Sequence, residues 1–262
     1  MCELLALNAN VPTDMAFSFA GLRRRGGATA DHADGWGLAS FRTAGSGLTL
    51  VREQRPAAFS ALAERLARES PQALVSIAHI RKATQGAVTL DNCHPFVRRW
   101  RGQTWVFAHN GNLEGPIPLG QAYRPRGSTD SERAFCWLLD QLDQAGLQPD
   151  ALDPLFAALN RLSGELARRG TFNALISNGH WLFATASTRL HLLTRRAPFR
   201  TATLGDAPLQ VDFAHLAGHH DVVTILSTEP LTIDEPWQGL QGGESLLLLG
   251  GEIHRRAQRP AG

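Results

Sequence analysis

A cysteine stands at position 2, directly after the initiator methionine, and this placement gives it two reactive groups. Removal of Met1 would expose an α-amino group on Cys2, whose reference pKa of about 7.7–8.0 suits a general base near neutral pH. One residue would then supply both nucleophile and base, as N-terminal threonine nucleophiles do. Free cysteines are more often small buried apolar residues, so Cys2 alone is a weak signal and needs support from other residues.

A second segment of chemical interest is His-Asn-Gly at 109–111, which follows a predicted strand. Asn-Gly is typical of tight turns because both residues tolerate positive φ. The alternative is an oxyanion hole, in which the Asn110 side-chain amide and the Gly111 backbone N–H donate to an oxygen that becomes charged when a thiolate attacks a carbonyl. Both interpretations fit the local pattern.

Two further segments offer complementary charges for an amino-acid substrate. Arg81 and Thr84 follow an apolar strand pattern, and the planar guanidinium of Arg81 suits a carboxylate. Asp130 precedes a helical pattern and could bind an ammonium group, although Thr129 and Glu132 beside it have the spacing of a capping box. A surface arginine and a simple helix cap are the structural alternatives.

Polar residues also cluster at 32–37 and at 91–96, the latter including His94. A metal site built from these histidines and the late His219-His220-Asp221 run lacks any HExxH or paired CxxC spacing. The sequence therefore predicts no metal.

The composition narrows the function classes. The chain has 262 residues, 43% hydrophobic and 19% charged, which is typical of a globular protein, and we expect one domain over 1–262. A net charge of +2 argues against nucleic-acid binding, and the cluster Arg23 to Arg25 is expected on a solvated face. Three cysteines without a CxxC pair indicate a reducing, cytoplasmic compartment. No segment resembles a signal peptide or a membrane span.

Short strand patterns alternate with a few amphipathic helices along the chain. The predicted helices are Phe59–Arg68, Glu132–Gln144 and Leu152–Arg169. The predicted strands are Glu3–Asn8, Gly37–Arg42, Leu48–Glu53, Leu74–Ile80, Thr104–Ala108, Phe172–Ser177, Trp181–Ala186, His191–Thr194, Asp221–Ser227 and Ser245–Leu249. Strict strand–helix alternation is absent, which favours stacked antiparallel sheets flanked by helices, an α+β fold. The basic tail after Ile253 is expected to fray.

Six segments follow Cys2 in order: Arg25-Gly26-Gly27, Asp34-Gly35-Trp36-Gly37, His79-Ile80-Arg81, His94-Pro95-Phe96, His109-Asn110-Gly111 and Thr129-Asp130-Ser131-Glu132. Together with Cys2 they resemble the motifs of class II glutamine amidotransferases. Four further stretches resemble the stand-alone, YafJ-type subgroup: Met1–Leu5, Asn10–Asp14, Ala134–Leu139 and Thr194–Phe199. The resemblance implies the N-terminal-nucleophile hydrolase fold, a four-layer αββα sandwich with two stacked antiparallel β-sheets. No metal or organic cofactor is implied.

The resemblance also implies a role for each matching residue. Cys2 attacks the glutamine side-chain amide, giving a γ-glutamyl thioester and ammonia and then glutamate, and Asn110 and Gly111 stabilise the oxyanion. Arg81 binds the substrate carboxylate with Thr84 beside it, and Asp130 binds the amino group. His94 and Arg25, which lie in matching segments, are expected in the substrate pocket.

This sequence departs from the aminosugar-forming members of the family, because Lys82 and Gln85 stand where those enzymes tend to carry Trp and His. No length remains for a domain that consumes the ammonia, so a synthase would have to be another chain. Two other functions stay open: hydrolysis of γ-glutamyl amides or peptides by the same nucleophile, and a non-catalytic glutamine-sensing or regulatory subunit. A homodimer is compatible with the sequence, and neither nucleic acid nor a membrane is expected as a partner.

Overall fold

The computed structural model describes residues 2–259, so Met1 and its predicted removal lie outside the described residues. Four α-helices lie within this range: α1 Ala16–Arg25, α2 Ala61–Leu66, α3 Asp130–Gln144 and α4 Leu152–Ala167. The strands are β1 Glu3–Thr13, β2 Trp36–Thr43, β3 Ser46–Glu53, β4 Ala73–Ile80, β5 Phe96–Trp100, β6 Gln103–Leu113, β7 Gly170–Ser177, β8 Leu182–Thr185, β9 His191–Arg196, β10 Thr201–Thr203, β11 Gln210–Asp212, β12 Val222–Ser227, β13 Gln238–Gly239, β14 Glu244–Leu249 and β15 Glu252–Gln258. Short 3₁₀ turns lie at Ala57–Phe59, Leu90–Asn92 and Phe213–His215.

Two antiparallel sheets contain most of these strands. The first sheet has the order β13-β9-β12-β1-β4-β2-β3, and the second has the order β15-β14-β8-β7-β6-β5. Strands β10 and β11 form a separate pair. The first strand of the chain therefore lies inside the first sheet, between β12 and β4, which holds its amino-terminal end in place from both sides.

The alternation of side chains along β1 shows how the layers form, because successive residues of a strand point to opposite faces. Leu4 and Ala6 pack in a buried cluster with Val106 and Leu175 of the second sheet, between the two sheets. Leu5 and its odd-numbered neighbours pack against α1 and α2 on the outer face. Helices α3 and α4 cover the outer face of the second sheet. The predicted α+β fold, an αββα sandwich with two stacked antiparallel sheets, is confirmed.

Two local predictions were wrong, one helix was missed, and one of the two interpretations left open at Asn110-Gly111 is excluded. The segment expected to fray after Ile253 forms β15, which pairs with β14 as far as Gln258. Helix α1 was missed, and the helix predicted from Phe59 begins only at Ala61 after a 3₁₀ turn. The chain does not turn at Asn110-Gly111, because β6 continues to Leu113 in register with β7.

None of the helices within residues 2–259 is both long enough and apolar enough to cross a membrane.

Candidate active site

Cys2 lies immediately before β1 and is half-buried. Its Sγ is 3.4 Å from both backbone groups of Lys82: the thiol donates to the carbonyl oxygen, and the Lys82 N–H points to the sulfur. Burial raises the pKa of the Cys2 thiol, and nearby Asp130 raises it further, while the Lys82 N–H and the charge of Arg81 oppose the rise. A thiol with a raised pKa is protonated at neutral pH and needs a base before it can attack.

The loop that contacts Cys2 is held by the Asp34-Gly35 segment. Gly35 and Arg81 bond through their backbones at 2.7 Å, and the Asp34 N–H donates back to the Arg81 carbonyl at 3.1 Å. The Asp34 carboxylate accepts from the Ala83 N–H at 2.8 Å. At Gly35 a Cβ would lie 2.6 Å from the sulfur of Cys93, and φ is +133°, so only glycine fits. The first part of the Asp-Gly-Trp-Gly motif thus positions the loop beside the thiol.

The Arg81 guanidinium is buried and bonded to its own loop. Nη1 donates to the carbonyl of Ala87 at 3.1 Å, and Nη2 donates to the carbonyls of Gln85 and Gly86 at 3.1 and 3.2 Å. Of its five N–H groups, Nε–H and one Nη1–H are not used in these bonds. Thr84 lies on the same loop and is exposed. Arg81 therefore shapes the loop and retains two donors for a carboxylate.

Asn110 and Gly111 lie near the end of β6. Asn110 is fully buried, and its Nδ2 donates to the Thr228 hydroxyl at 3.3 Å, a bond that joins the two sheets. The same hydroxyl oxygen accepts from the Leu4 N–H at 2.9 Å. At Gly111 a Cβ would lie only 1.8 Å from the carbonyl oxygen of Thr171. Asparagine and glycine are thus fixed by packing here, and no turn is involved.

One edge of β6 is open at these residues. Strand β5 pairs with β6 only as far as Phe107, whereas β7 pairs with β6 on the other side to Leu113. Within residues 2–259 no strand covers the β5 side of positions 108–113. This open edge leaves space where a substrate could reach backbone N–H groups.

Asp130 is the first residue of α3 and follows the residue that caps the helix, Thr129. The Thr129 hydroxyl accepts from the Glu132 N–H at 3.2 Å, as the capping motif predicted, but Glu132 itself accepts from the Gly127 N–H at 2.7 Å. Asp130 Oδ2 accepts from the Leu113 N–H at 2.8 Å. The carboxylate therefore lies at the end of β6, two residues beyond Gly111 on the same strand.

His94 lies in a stack of buried rings. Its ring centroid is 4.1 Å from that of His79 and 4.3 Å from that of Phe96. Within residues 2–259 neither of its ring nitrogens has a hydrogen-bond partner. Burial lowers the pKa of His94 well below the ordinary histidine value, and it lowers that of His79 to about 3. Both rings are neutral at physiological pH.

Arg25 is buried, so the prediction that it lies on a solvated face was wrong. Its Nη1 binds the Glu3 carboxylate at 3.1 Å, its Nε binds Asp206 at 2.8 Å, and its Nη2 donates to the Pro230 carbonyl at 2.6 Å. Burial raises the pKa of Glu3, and the charge of Arg25 opposes that rise. Because Glu3 follows Cys2 directly, Arg25 anchors the start of β1. A direct contact of Arg25 with substrate remains a prediction.

Thr228 is the residue that sequence reasoning missed. It follows β12 at the same end of the first sheet as Cys2, since Ser227 pairs with Leu5. The only sequence signal was a polar Ser-Thr-Glu run at the exit of an apolar strand. Among the described residues 2–259, no group of three His, Cys, Asp or Glu side chains is arranged to hold a metal ion.

Comparison with known proteins identifies the family of the chain. The family model for class II glutamine amidotransferases matches residues 1–261. The chain is 44% identical over 254 residues to an Escherichia coli K12 protein described as "Putative glutamine amidotransferase YafJ", covering 96% of this chain and 99% of that one. The crystal structure of a predicted glutamine amidotransferase from Pseudomonas aeruginosa shares 40% identity with a TM-score of 0.77, covering 97% of this chain and 100% of that one.

A more distant structure shares the fold alone. The glutamine phosphoribosylpyrophosphate amidotransferase of Bacillus subtilis has a TM-score of 0.60 at 16% identity, and the match covers 98% of this chain and 49% of that one. The fold is thus of the N-terminal-nucleophile hydrolase type. Since the family model matches almost the whole length, the chain belongs to the class II glutamine amidotransferases.

Proposed function

We propose that this protein hydrolyses the side-chain amide of glutamine with Cys2 as nucleophile. The observation that supports the proposal most is a chain of contacts at one end of the two sheets: Cys2 Sγ contacts the Lys82 backbone, the Leu4 N–H two residues further on shares the Thr228 hydroxyl with the Asn110 amide, and Asp130 binds the end of β6. Such an arrangement provides a nucleophile, an oxyanion site and an ammonium acceptor within one end of the sandwich.

Glutamine would bind with its charged end near Asp130 and Arg81. The Asp130 carboxylate complements the α-ammonium group, and the unused Nε–H and Nη1–H of Arg81 complement the α-carboxylate. Thr84 would donate from the same loop. The δ-carbonyl would then lie between the Cys2 thiol and the open edge of β6 at Gly111.

The reaction follows from these contacts. The exposed α-amine of Cys2 takes the thiol proton, and the sulfur bonds to the δ-carbon of glutamine. Asn110 Nδ2 and the Gly111 N–H stabilise the charged oxygen. The protonated α-amine of Cys2 then donates its proton to the amide nitrogen of the substrate, and ammonia leaves. Water then cleaves the thioester to release glutamate and the free thiol. Loss of one oxyanion donor would slow the reaction by about 10²–10³-fold.

The test measures products and the intermediate together. Purified protein is incubated with glutamine, glutamate and ammonia are quantified, and hydroxylamine is added to capture the thioester as γ-glutamyl hydroxamate. We expect equal amounts of glutamate and ammonia without hydroxylamine, ammonia equal to the sum of glutamate and hydroxamate with it, and none of these products in Cys2→Ala. Cys136→Ala is the matched control, because Cys136 is a buried free cysteine on α3. Equal turnover in wild type and Cys2→Ala would contradict the proposal.

The fate of the ammonia is the finer part of the proposal. We infer that an acceptor-using synthase, where one exists, lies outside residues 2–259, because the main strands and helices of this range form the αββα sandwich. A non-catalytic, glutamine-sensing role would predict glutamine binding with no hydroxamate formed. The intact set of Cys2, Asn110 and Asp130 favours catalysis.

A further inference from the structure

The Gly111 N–H points to the open edge of β6. On the same strand, the Leu113 N–H donates to Asp130 Oδ2 at 2.8 Å, and Asp130 belongs to α3 rather than to a neighbouring strand. Backbone N–H groups two residues apart on a strand point to the same side. The Gly111 N–H therefore faces the side on which Asp130 lies, beyond the last pair of β6 with β5 at Phe107.

This donor belongs to a peptide unit that is held from its other end. The Gly111 N–H and the Asn110 carbonyl form one peptide unit, and within residues 2–259 only the bonds before Pro95 and Pro198 are cis. In a planar trans peptide these two groups point in opposite directions. The Asn110 carbonyl thus points toward β7, where Asn173 pairs with Asn110 and donates to this carbonyl from its Nδ2 at 3.2 Å. One side chain on β7 therefore holds the back of the proposed oxyanion donor.

The Asn173 side chain is itself fixed by hydrogen bonds. It is buried, and its Oδ1 accepts from the N–H groups of Ser187 and Thr188 at 2.9 and 3.0 Å. Its Nδ2 donates to the Thr188 hydroxyl at 2.9 Å as well as to the Asn110 carbonyl. A carboxamide has two N–H donors and two acceptor lone pairs, so all four are used. The two backbone N–H donors also determine which end of the amide is the oxygen.

We propose that Asn173 is a positioning residue for amide hydrolysis, which fixes and strengthens the Gly111 N–H as an oxyanion donor. The inference rests on the proposed function, because it concerns the same oxyanion site. A donor that is aimed before the reaction begins stabilises the charged oxygen without reorganisation. A hydrogen bond to the carbonyl of a peptide also polarises the N–H of that peptide, since linked hydrogen bonds strengthen one another. Asn173 acts through the peptide unit and does not contact the substrate.

An isosteric variant removes this one contact. Asn173→Asp keeps the shape of the side chain and the oxygen that accepts from Ser187 and Thr188. It places a second oxygen against the Asn110 carbonyl, where the Nδ2 donor was. Loss of a complete oxyanion donor costs about 10²–10³-fold in rate, and loss of its support should cost less, about 10-fold. The decrease should appear in kcat with KM little changed, because the oxyanion forms only during the reaction.

Two further variants separate positioning from stability. Asn178→Asp makes the same change in an equally buried asparagine, whose Nδ2 donates to Gln103 Oε1 at 2.6 Å beyond the end of β7 that lies away from Gly111. This variant should lower the free energy of unfolding and leave kcat unchanged. Thr188→Val removes the hydroxyl that accepts from Asn173 Nδ2, at an exposed position where the protein should still fold. It should lower kcat about threefold.

The readout compares amide hydrolysis with alkylation of the same thiol in the full-length protein. The reagent 6-diazo-5-oxo-norleucine is attacked at a CH₂ carbon, so no tetrahedral intermediate forms and no oxyanion needs to be stabilised. The measured quantity is kcat/KM for glutamine divided by the rate constant of Cys2 labelling, which cancels a general loss of active protein. We expect this ratio to fall about 10-fold in Asn173→Asp and about threefold in Thr188→Val. It should stay at the wild-type value in Asn178→Asp.

A ratio that stays at the wild-type value in both Asn173→Asp and Thr188→Val, or that falls as far in Asn178→Asp, overturns the inference. If Asn173→Asp does not fold, Thr188→Val alone decides it. A wild type that is labelled and releases glutamate keeps the proposed function in either case. A wild type with neither labelling nor turnover overturns the proposed function, and the inference with it.

Discussion

Replacement of Thr228 by valine tests the link between the two sheets. The Thr228 hydroxyl oxygen accepts from the Leu4 N–H at 2.9 Å and from Asn110 Nδ2 at 3.3 Å. Valine keeps the shape of the side chain and removes the one acceptor that both hydrogen bonds share. We therefore expect two separable effects, one on stability through the buried Leu4 N–H and one on catalysis through the freed Asn110 amide.

The magnitudes follow from those two contacts. A buried N–H left without a partner costs about 1–3 kcal/mol, so the free energy of unfolding should fall by that amount. Complete loss of an oxyanion donor costs about 10²–10³-fold in rate, and loss of its orienting partner should cost less, about 10-fold. Because the amide acts on the oxyanion, kcat and kcat/KM should decrease together while KM changes little.

The assay pairs steady-state release of glutamate with urea unfolding, and it uses two reference variants. Thr224→Val removes an equally buried hydroxyl of β12 that bonds to the Gly251 carbonyl and to Thr194, and it should lower stability with kcat unchanged. Asn110→Ala gives the full loss of the donor. The reasoning is refuted if Thr228→Val and Thr224→Val have the same kcat, or if Thr228→Val affects only KM.

Three further predictions concern stability and the strand that carries the oxyanion site. Arg25→Met should lower the free energy of unfolding by about 3–5 kcal/mol, because it leaves Glu3 buried without its partner, and Glu3→Gln in the same chain should recover part of the loss in urea titrations. His79→Gln should make folding less sensitive to acid. Burial lowers the pKa of His79 to about 3, so stability that is present above pH 6.5 is lost as the pH falls, by up to about 3 kcal/mol at pH 4.5. An unchanged decrease in the free energy of unfolding at acid pH would contradict this. Gly111→Ala should abolish glutamine turnover, because its Cβ would overlap the Thr171 carbonyl; retained turnover in a folded variant would count against the oxyanion site.

Short-range patterns were sufficient for most of the fold. Eight of the ten predicted strands lie within two residues of their observed bounds, because alternation of polarity along a strand reflects the two faces of each sheet, while β1 and β6 continue five residues further than predicted. The helix at Ala16–Arg25 was missed because its N-cap residue, Met15, has no capping side chain and because three arginines end the helix. One of them, Arg25, faces inward to partners more than 180 residues away in sequence, such as Asp206.

Candidate site residues could be predicted where the residue type itself suggests the chemistry. They could not be predicted where contacts between residues far apart in the sequence determine which side chains meet. Cys2 and Asp130 were selected from the sequence alone, and their roles in catalysis and substrate binding remain predictions. The local Asn110-Gly111 pattern was compatible with a tight turn, but pairing with β7 makes this segment part of a strand. Thr228 could not have been found from the sequence, because its contact with Asn110 spans 118 residues.

The central claim is tested most directly by the intact mass of the purified protein before and after treatment with 6-diazo-5-oxo-norleucine. We predict a mass without Met1, a single adduct on wild type, no adduct on Cys2→Ala and slower labelling in excess glutamine. The Cys136→Ala variant should label like wild type. Labelling that persists in Cys2→Ala, or processed wild type that takes no label, would contradict the assignment of Cys2 as the nucleophile of a glutamine site.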